Sequence, residues 1–552
     1  MLNNPEESQL SSLSDTDRCK FDIAPIRDNA LTCYEELMAS VCKWLGRDYE
    51  LMFTRSLTFF FTPAQEGTLK SIGGRIERRW NDQLEDLLYY HGVWMQRKIY
   101  DADLDQLEFI SKELENGYPI LVFYQAFWLP WDPGYQRKGH EGIHTFLIVG
   151  CSTENNCLYC VDSTYMKSWE PISLELFMKG SVKVGNSIEY YTFSVDKNEK
   201  KHFTWLEILQ RMLECVQNNK QGKSFNGLKL FCDELEKNLD FRTETDGYHE
   251  FFRAPLFYNI QQLALGRRKA SRTLQYLAKH FGVTELVNLA REFDLEGSNW
   301  ENVRAMLIKM YVMPNEALFR KTITRIREAI DKEQELVRQL LEIYRSSEYK
   351  AENPPNLLLT NINHQAITGE VVFIDLCKFF NNNACGSREF HNCIANFNGL
   401  GQFFLLESMP SEGLIETGEM KFWFPELSDI TNDNIGAAGE TIPILTDYYR
   451  SIMFLGNADE GNVSGPVVIQ YENNVQELIY IEFTCWWMLP GFGETVAWSG
   501  KMAERIGEEV FVSVSPVRLF AQKYPLQNNK KIISIQLPDC ISIHIFAISL
   551  EK

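Results

Sequence analysis

The chain lacks the features of a membrane protein or of a nucleic-acid-binding protein. No apolar run reaches the roughly 20 residues that a bilayer span requires. Residues 1–18 are polar and acidic, with no basic stretch followed by an apolar one, so no secretory signal is expected and a cytoplasmic location is predicted. The 55 Lys and Arg are outnumbered by 75 Asp and Glu, and the net charge of −20 disfavours binding to a phosphate backbone. We therefore expect neither a membrane nor a nucleic acid as partner.

The sequence also lacks grouped cysteines. Its 13 Cys are an odd number scattered over the chain, which suits reduced thiols better than a disulfide framework. The CxxC motif from Cys157 to Cys160 has no second Cys or His pair at zinc spacing, and it lies in the apolar run CLYCVD. A strand is the better interpretation of this run, and neither a metal nor a cofactor is expected.

The chain does contain enough apolar material for several domains. With 552 residues, 45% of them hydrophobic and 24% charged, it exceeds the size of a single core and has the balance of a folded protein. From Asn29 to Gly46, apolar residues recur at spacings of three and four, which predicts an amphipathic helix that ends at Gly46 and carries Cys33 in its first turn. After Tyr118, three segments rich in β-branched and aromatic residues predict neighbouring antiparallel strands: PILVFYQAFWL, HTFLIVGC and CLYCVDST.

The rest of the chain divides at a proline-containing segment. Residues 202–345 are predicted to be helical, and Glu333 interrupts a near-heptad pattern, which favours a packed helix over a coiled coil. The stretch SSEYKAENPPNL has the composition of a linker, with a boundary near Glu352, and short strands with Gly, Asn and Pro turns follow it. We predict an α+β region at 20–200, a helical region at 201–348 that packs on or completes it, and an all-β sandwich at 357–552.

One set of residues suggests nucleophilic chemistry. The helix dipole stabilises the thiolate form of a cysteine at the start of a helix, and Cys33 is predicted to lie at such a position. His144 opens one predicted strand and Asp162 ends the next, so their side chains are expected to meet at the facing ends of a strand pair. Each residue alone is more often structural, as a core thiol, a strand-edge His or a turn Asp. Their order along the chain, Cys then His then Asp, is that of papain-like enzymes and favours the joint interpretation.

The first three-fifths of the chain resembles the butirosin biosynthesis protein H family, whose N-terminal domain is a papain-like relative of the peptidases that cut double-glycine leaders. The resemblance lies in TCYEELMASVCKWLGRDYELMF, GYPILVFYQAFWLPWDPGYQRKGHEGIHTFLIVGCS and CVDSTY, and more weakly in FNGLKLFCDELEKNL and LALGRRKASRTLQYLAKHF. It implies that Cys33 is the nucleophile, His144 the base and Asp162 the residue that orients the base. It also suggests a structural or substrate-facing role for Glu50.

The sequence departs from the related peptidases before the nucleophile. Those enzymes place a Gln there to stabilise the oxyanion, whereas this chain offers Arg27 and Asn29, and we take Asn29 as the candidate. His140 is a competing base, but it lies in the polar loop QRKGHEG, whereas His144 begins an apolar strand. His140 is retained as a candidate for substrate binding.

The segment FWLPWDPGYQRKGHEG is long for a hairpin connection. Its aromatic residues, with Trp131 and Tyr135 as candidates for substrate contact, suit a lid or an acceptor-binding loop. An ordinary surface loop with Trp128 and Trp131 anchored in the core is an equally good interpretation.

The last third of the chain resembles the galactose-binding-like jelly rolls through KFWFPELSDITNDNIGAAGETIPI, YYRSIMFLGNADEG and IHIFAISLEK. This is a resemblance of fold, and many such domains bind no sugar. Trp486 and Trp487 could stack on a sugar ring, but core packing is the more common role of such side chains.

Three functions remain open from the sequence. The leading hypothesis, whose donor and acceptor come from the resemblance, is an acyltransferase of secondary metabolism. It would move an acyl group from the phosphopantetheine thioester of an acyl- or peptidyl-carrier protein to a small-molecule amine. The second is a cysteine hydrolase, either a peptidase or a thioesterase, with the same residues and water as acceptor. The third is an inactive protein that binds a partner or glycan through its β sandwich.

Overall fold

The computed structural model describes residues 21–350 and 370–552, apart from 66, 78–79, 138–139, 141, 196–202, 217–221, 389–394, 507–508 and 528. The first region is mixed α and β. Its helices are α1 (Cys33–Trp44), α2 (Trp80–His91), α3 (Gln106–Leu114) and α4 (Leu174–Gly180), with short 3-10 helices at Tyr49–Phe53, Gly73–Arg75 and Ala126–Trp128. Its strands are β1 (Val93–Asp101), β2 (Ile120–Gln125), β3 (Ile143–Ser152), β4 (Cys157–Asp162), β5 (Lys167–Ser173), β6 (Lys183–Val184) and β7 (Ser187–Val195).

These strands form one antiparallel sheet in the order β1-β7-β2-β3-β4-β5, with β6 paired to β7. The predicted strands correspond to β2, β3 and β4, and they are neighbours as expected. In the register of the β3–β4 pair, Leu147 is opposite Val161. The sequence reasoning did not identify β1, β5 or β7, which extend the sheet on both sides.

The buried face of α1 packs against this sheet. Leu37 and Val41, which defined the predicted helical pattern, are fully buried in a core shared with residues of β2, β3 and β4. The amphipathic pattern therefore fixes which face of α1 turns inward. It also leaves Cys33 only partly buried, at the first helical residue.

A layer of helices follows: α5 (Trp205–Val216), α6 (Ser224–Asn238), α7 (Phe241–Thr245), α8 (Pro255–Phe281), α9 (Leu286–Val312) and α10 (Glu316–Lys350). Glu333, which breaks the heptad pattern of α10, is buried and accepts hydrogen bonds from Arg267 Nε at 2.7 Å and Nη2 at 2.6 Å. Trp300 Nε1 donates to the same carboxylate at 2.7 Å. The residue that interrupts the apolar pattern therefore forms an internal ion pair between packed helices. No helix in the described ranges is both long and apolar enough to cross a membrane.

Replacing Glu333 by alanine is expected to destabilise the protein by about 3–5 kcal/mol, because it leaves the Arg267 guanidinium buried without its counter-charge. Urea unfolding would measure the change in the free energy of unfolding. The control is Glu335→Ala on the exposed face of the same helix, which should change the stability by less than about 1 kcal/mol. Equal effects of the two substitutions would contradict the importance of the buried pair.

The C-terminal region is all β, as the sequence predicted. The strands are β8 (Val371–Phe373), β9 (Cys385–Gly386), β10 (Gln402–Leu405), β11 (Gly413–Thr417), β12 (Met420–Phe424), β13 (Ile435–Ala438), β14 (Thr441–Tyr448), β15 (Ser451–Ala458), β16 (Val463–Tyr471), β17 (Gln476–Phe483), β18 (Thr495–Ile506), β19 (Glu509–Pro525), β20 (Lys531–Gln536) and β21 (Asp539–Glu551).

These strands form three sheets. The eight-stranded sheet has the order β13-β21-β15-β19-β18-β10-β9, with β8 paired to β21. The four-stranded sheet has the order β14-β20-β16-β17, and β11 pairs with β12. Trp486 is fully buried in the core of this region and Trp487 is 36% exposed, so the pair alternates between inside and outside.

The sandwich is joined to the helical layer by polar contacts. Ser298 Oγ lies 3.0 Å from Ser464 Oγ, Lys309 Nζ donates to the carbonyl of Ile541 at 2.9 Å, and Arg304 pairs with Glu460 at 3.1 Å. These contacts connect α9 to strand β16 and its neighbours. The two large hydrophobic clusters of the sandwich consist only of residues that belong to the sandwich.

Residues 346–350, the start of the predicted linker, belong to the end of α10, and the rest of it, with the predicted boundary near Glu352, lies outside the described residues. Limited proteolysis is still expected to cut near Pro354 and Pro355 because of the linker composition. The two fragments should stay together in gel filtration, since the interface contains several buried polar contacts. Separation of intact, folded fragments would contradict the strength of this interface, and resistance of the whole chain to cleavage would contradict the boundary.

Candidate functional site

Cys33 is the first residue of α1. Thr32 caps this helix through a reciprocal pair of hydrogen bonds: its hydroxyl accepts from the backbone N–H of Glu35 at 3.4 Å, and the Glu35 carboxylate accepts from the N–H of Thr32 at 2.8 Å. Lys269 of α8 donates to the same Glu35 carboxylate at 2.5 Å. The start of the helix is therefore held in place from two directions. The free N–H groups of a first turn stabilise negative charge, so a thiolate is well placed there.

His144 and Asp162 lie at adjacent ends of β3 and β4, as the sequence predicted. His144 Nε2 is 2.8 Å from Asp162 Oδ2, and both side chains are buried. Burial opposes a charge on the imidazole, but the Asp162 carboxylate and a hydrogen bond with Cys33 raise the pKa of His144 well above its usual range. With Nε2 engaged by Asp162, Nδ1 is the ring nitrogen left for the thiol. The structure thus brings Cys33, His144 and Asp162 into one chain of contacts.

Asp162 is held by further donors. Trp131 Nε1 donates to Oδ2 at 2.8 Å, and the backbone N–H of Tyr165 donates to Oδ1 at 3.3 Å. The ring of Trp131 also lies edge-on to Phe146, with 6.3 Å between centroids. Trp131, expected as a possible substrate contact, is therefore placed as a support for the carboxylate, in agreement with the anchored-loop interpretation.

His140, the competing base, lies in a separate ion cluster. Its Nε2 is 3.3 Å from Asp132 Oδ1 and its Nδ1 is 3.5 Å from Glu250 Oε1. Although burial lowers it, these two carboxylates raise the pKa of His140 to about 9. The imidazole is therefore positively charged at neutral pH and is engaged with these two carboxylates. Its contacts fix the loop before β3 and do not place it beside Cys33.

The second aromatic candidate in this loop, Tyr135, has local contacts. Its hydroxyl accepts a hydrogen bond from Gln136 Nε2 at 3.0 Å, and the nearby Arg137 pairs with Glu504 of β18 at 2.7 Å. In the described part of the chain, Tyr135 does not join the hydrogen-bonded group around Asp162. The loop is thus held by the sandwich at one point and by Asp162 at another.

Glu50 lies in the 3-10 helix Tyr49–Phe53, which follows the C-terminal end of α1. Burial raises the pKa of Glu50, and the groups that interact with its charge include Asp48 and Lys43. Cys42, near the C-terminal end of α1, also interacts with Glu50. The structure therefore does not bring Glu50 together with Cys33, and its position suits the structural alternative.

Asn29, the oxyanion candidate, is oriented by one strong contact. Its Oδ1 accepts a hydrogen bond from Arg272 Nη2 at 2.6 Å. Its Nδ2 is buried and has no hydrogen-bond partner in the described part of the chain. Arg27, the other residue considered for this role, instead pairs with Glu36 at 2.6 Å.

Sequence reasoning missed two residues that support the site. Glu36, fully buried one turn after Cys33, also accepts a hydrogen bond from Thr164 Oγ1 at 3.0 Å, and burial raises its pKa to about 7. Tyr165 places its ring 5.3 Å from His144 and donates its hydroxyl to Asp132 at 2.8 Å. Tyr165 follows Asp162 in the same CVDSTY segment, which is a usable signal. Nothing in the sequence distinguishes Glu36 from a surface acid of the first helical turn.

Replacing Asp162 by asparagine is expected to lower turnover by about 10²–10³-fold, because the neutral amide does not stabilise the charged His144, and an amide oxygen at the Oδ2 position leaves the amide N–H groups facing the backbone N–H donor of Tyr165. This loss should be smaller than that from removing His144 itself. Steady-state rates over pH 5–9 would measure it, with Asp246→Asn in an exposed turn as the control. Turnover at the wild-type rate would remove Asp162 from the proposed triad.

Comparison with known proteins concerns mainly the sandwich. No curated protein matches the chain. Residues 370–552, which contain all strands from β8 to β21, match the family model of the AziU2-like beta-sandwich domain. This match confirms the predicted C-terminal β sandwich, and it lies outside the region that contains Cys33, His144 and Asp162.

Proposed function

We propose that the protein is a cysteine-dependent acyltransferase that moves an acyl group from a carrier-protein thioester to a small-molecule amine. The observation that carries this proposal is the hydrogen-bonded series Cys33, His144 and Asp162, with the sulfur at the start of α1. A thiol beside a buried, carboxylate-paired imidazole is the arrangement that nucleophilic acyl transfer uses.

In the first step, the Cys33 thiolate attacks the thioester carbonyl carbon. The C–S bond to the carrier breaks, and the carrier thiolate takes a proton from the His144 imidazolium. In the second step, the amine attacks the acyl-Cys33 carbonyl and His144 accepts the amine proton. Cys33 then leaves as thiolate while the amide forms. Exchange between thioesters is nearly isoenergetic and aminolysis is downhill, so neither step needs an oxidant, a reductant or ATP.

The choice of donor and acceptor depends on the family resemblance of the N-terminal region. The match of the sandwich to the AziU2-like domain supports a setting in secondary-metabolite biosynthesis. With water in place of the amine, the same residues would perform hydrolysis. The structure supports thiol acyl chemistry more directly than it supports the choice of acceptor.

The test is intact-mass measurement after incubation with an acyl-carrier thioester, first without and then with an amine. We expect an increase by the mass of the acyl group, located on Cys33 by peptide mapping, and formation of the amide when the amine is added. Free acid as the only product would favour the hydrolase alternative. No adduct and no turnover with any donor would favour a binding protein.

A further inference from the structure

The sandwich meets the first region next to the segment that precedes Cys33. The sulfur of Met488 lies 3.3 Å from Arg27 Nη2. Gly491 approaches so closely that a Cβ added there would lie 3.4 Å from the Cβ of Asn29. A cleft of about 210 Å³ lies between the two parts, lined by Arg27, Asp28, Asn29, Arg272, Asn462 and Leu489 to Gly491. The sandwich therefore supplies one wall of a cleft whose other wall is the segment four residues before the thiol.

Each charged group of this cleft is already paired with a group of opposite charge. Arg27 pairs with Glu36 at 2.6 Å, and Arg272 pairs with Asp28 at 3.1 Å and with Asp294 at 3.3 Å. A phosphate or carboxylate would need an uncommitted cation, and an amine would need an uncommitted carboxylate. The cleft is therefore better suited to a neutral ligand than to either ion.

Two side-chain donors that line the cleft lack a strong acceptor in the described part of the chain. Asn29 Nδ2 is buried and donates to no atom in the described ranges, and Arg272 holds the amide in this orientation. Arg27 Nη2 is directed at the Met488 thioether, which is a weak acceptor. A buried donor without an acceptor costs free energy, and a ligand carbonyl oxygen could accept the missing hydrogen bond.

We propose that this cleft binds the amide-bearing pantetheine arm of the acyl donor, with an amide carbonyl accepting hydrogen bonds from Asn29 and Arg27. The assignment rests on the proposed function, because it takes the donor to be a carrier thioester. Only three residues lie between Asn29 and Cys33, so their Cα atoms are at most about 14 Å apart. Arg27 is also linked through Glu36 to the first two turns of α1. An arm held in the cleft is thus within reach of the thiol.

The first test is binding of pantetheine itself, measured by ligand-observed NMR titration of the full-length protein, so that no acyl chemistry is required. Leu489→Trp would fill the cleft and is expected to weaken binding at least tenfold. Leu445→Trp, at a 73% exposed position on β14, is the matched control and should bind as the wild type does. Equal binding by all three proteins, or no binding by the wild type, would overturn the assignment.

The second test separates binding of the arm from oxyanion stabilisation by Asn29. Acylation of Cys33 is followed with an acyl-pantetheine thioester and with the same acyl group on 2-mercaptoethanol, which has no amide. Asn29→Ala should raise KM about tenfold for the pantetheine donor and lower kcat/KM clearly less for the short donor than for the pantetheine donor. An equal loss of rate with both donors would overturn the assignment and indicate an oxyanion role. If pantetheine binds but neither donor acylates Cys33, the cleft assignment stands and the proposed function fails.

Discussion

Cys33→Ala is expected to lower turnover by about 10⁴-fold or more and to abolish the acyl adduct, because the proposed acyl-enzyme is a thioester of the Cys33 sulfur. The fold should be kept, since alanine is smaller than cysteine and helix-compatible at the start of α1. Intact mass and steady-state rates with the carrier thioester would measure the effect, and circular dichroism would check the fold.

The matched control is Cys377→Ala, which removes an exposed thiol from the sandwich. It should leave both the adduct and the rate unchanged. A Cys33→Ala variant that is folded and retains near-normal turnover would eliminate the mechanism, because the proposed first step requires the Cys33 sulfur.

Removal of His144 is expected to be about as damaging as removal of the nucleophile. His144→Ala takes away the proton carrier for both steps and the hydrogen bond to Cys33, so a loss of about 10³–10⁴-fold in kcat is expected. The double variant with Cys33→Ala should lose little more than either single variant, because the two residues act as a unit.

The control for this series is His249→Ala, at an exposed position in the helical layer. It should keep full activity. Parallel measurement of His140→Gln would test the assignment of the base, because His140 is expected to influence the loop and not the proton transfer. A greater loss of kcat for His140→Gln than for His144→Ala would reverse the assignment.

The candidate triad was predictable because it depends on local patterns. Cys33 lies at the start of an amphipathic helix, and His144 and Asp162 bound two consecutive apolar strands joined by a short turn. Antiparallel pairing of such strands brings one end of each together, so the spacing of the two residues was informative. The position of Cys33 against them was less certain, because it requires α1 to pack on this particular sheet.

The supporting contacts were not predictable in the same way. Trp131 donates a hydrogen bond to Asp162. His140 pairs with Asp132, which lies in the same loop, and with Glu250, which lies in the helical layer. An aromatic residue in a long loop can belong to a lid, contact the substrate or anchor the loop. Only its hydrogen-bond partner in the folded protein distinguishes these three roles. The all-β character of the sandwich was recognisable from its short strands and turns, but its contact with the segment before Cys33 depends on how two separate regions dock.

By itself, the sequence determined the types of the elements that carry the candidate triad, the inward face of α1, the all-β character of the last third and the three residues of that triad. These features follow from periodicity and strand order, which are local properties of the chain. Only the tertiary structure decided that His140 is a paired cation, that Trp131 supports a carboxylate and that the sandwich closes a cleft beside Asn29. Such roles depend on which groups approach from distant parts of the chain, because burial and neighbouring charges set both hydrogen bonding and protonation.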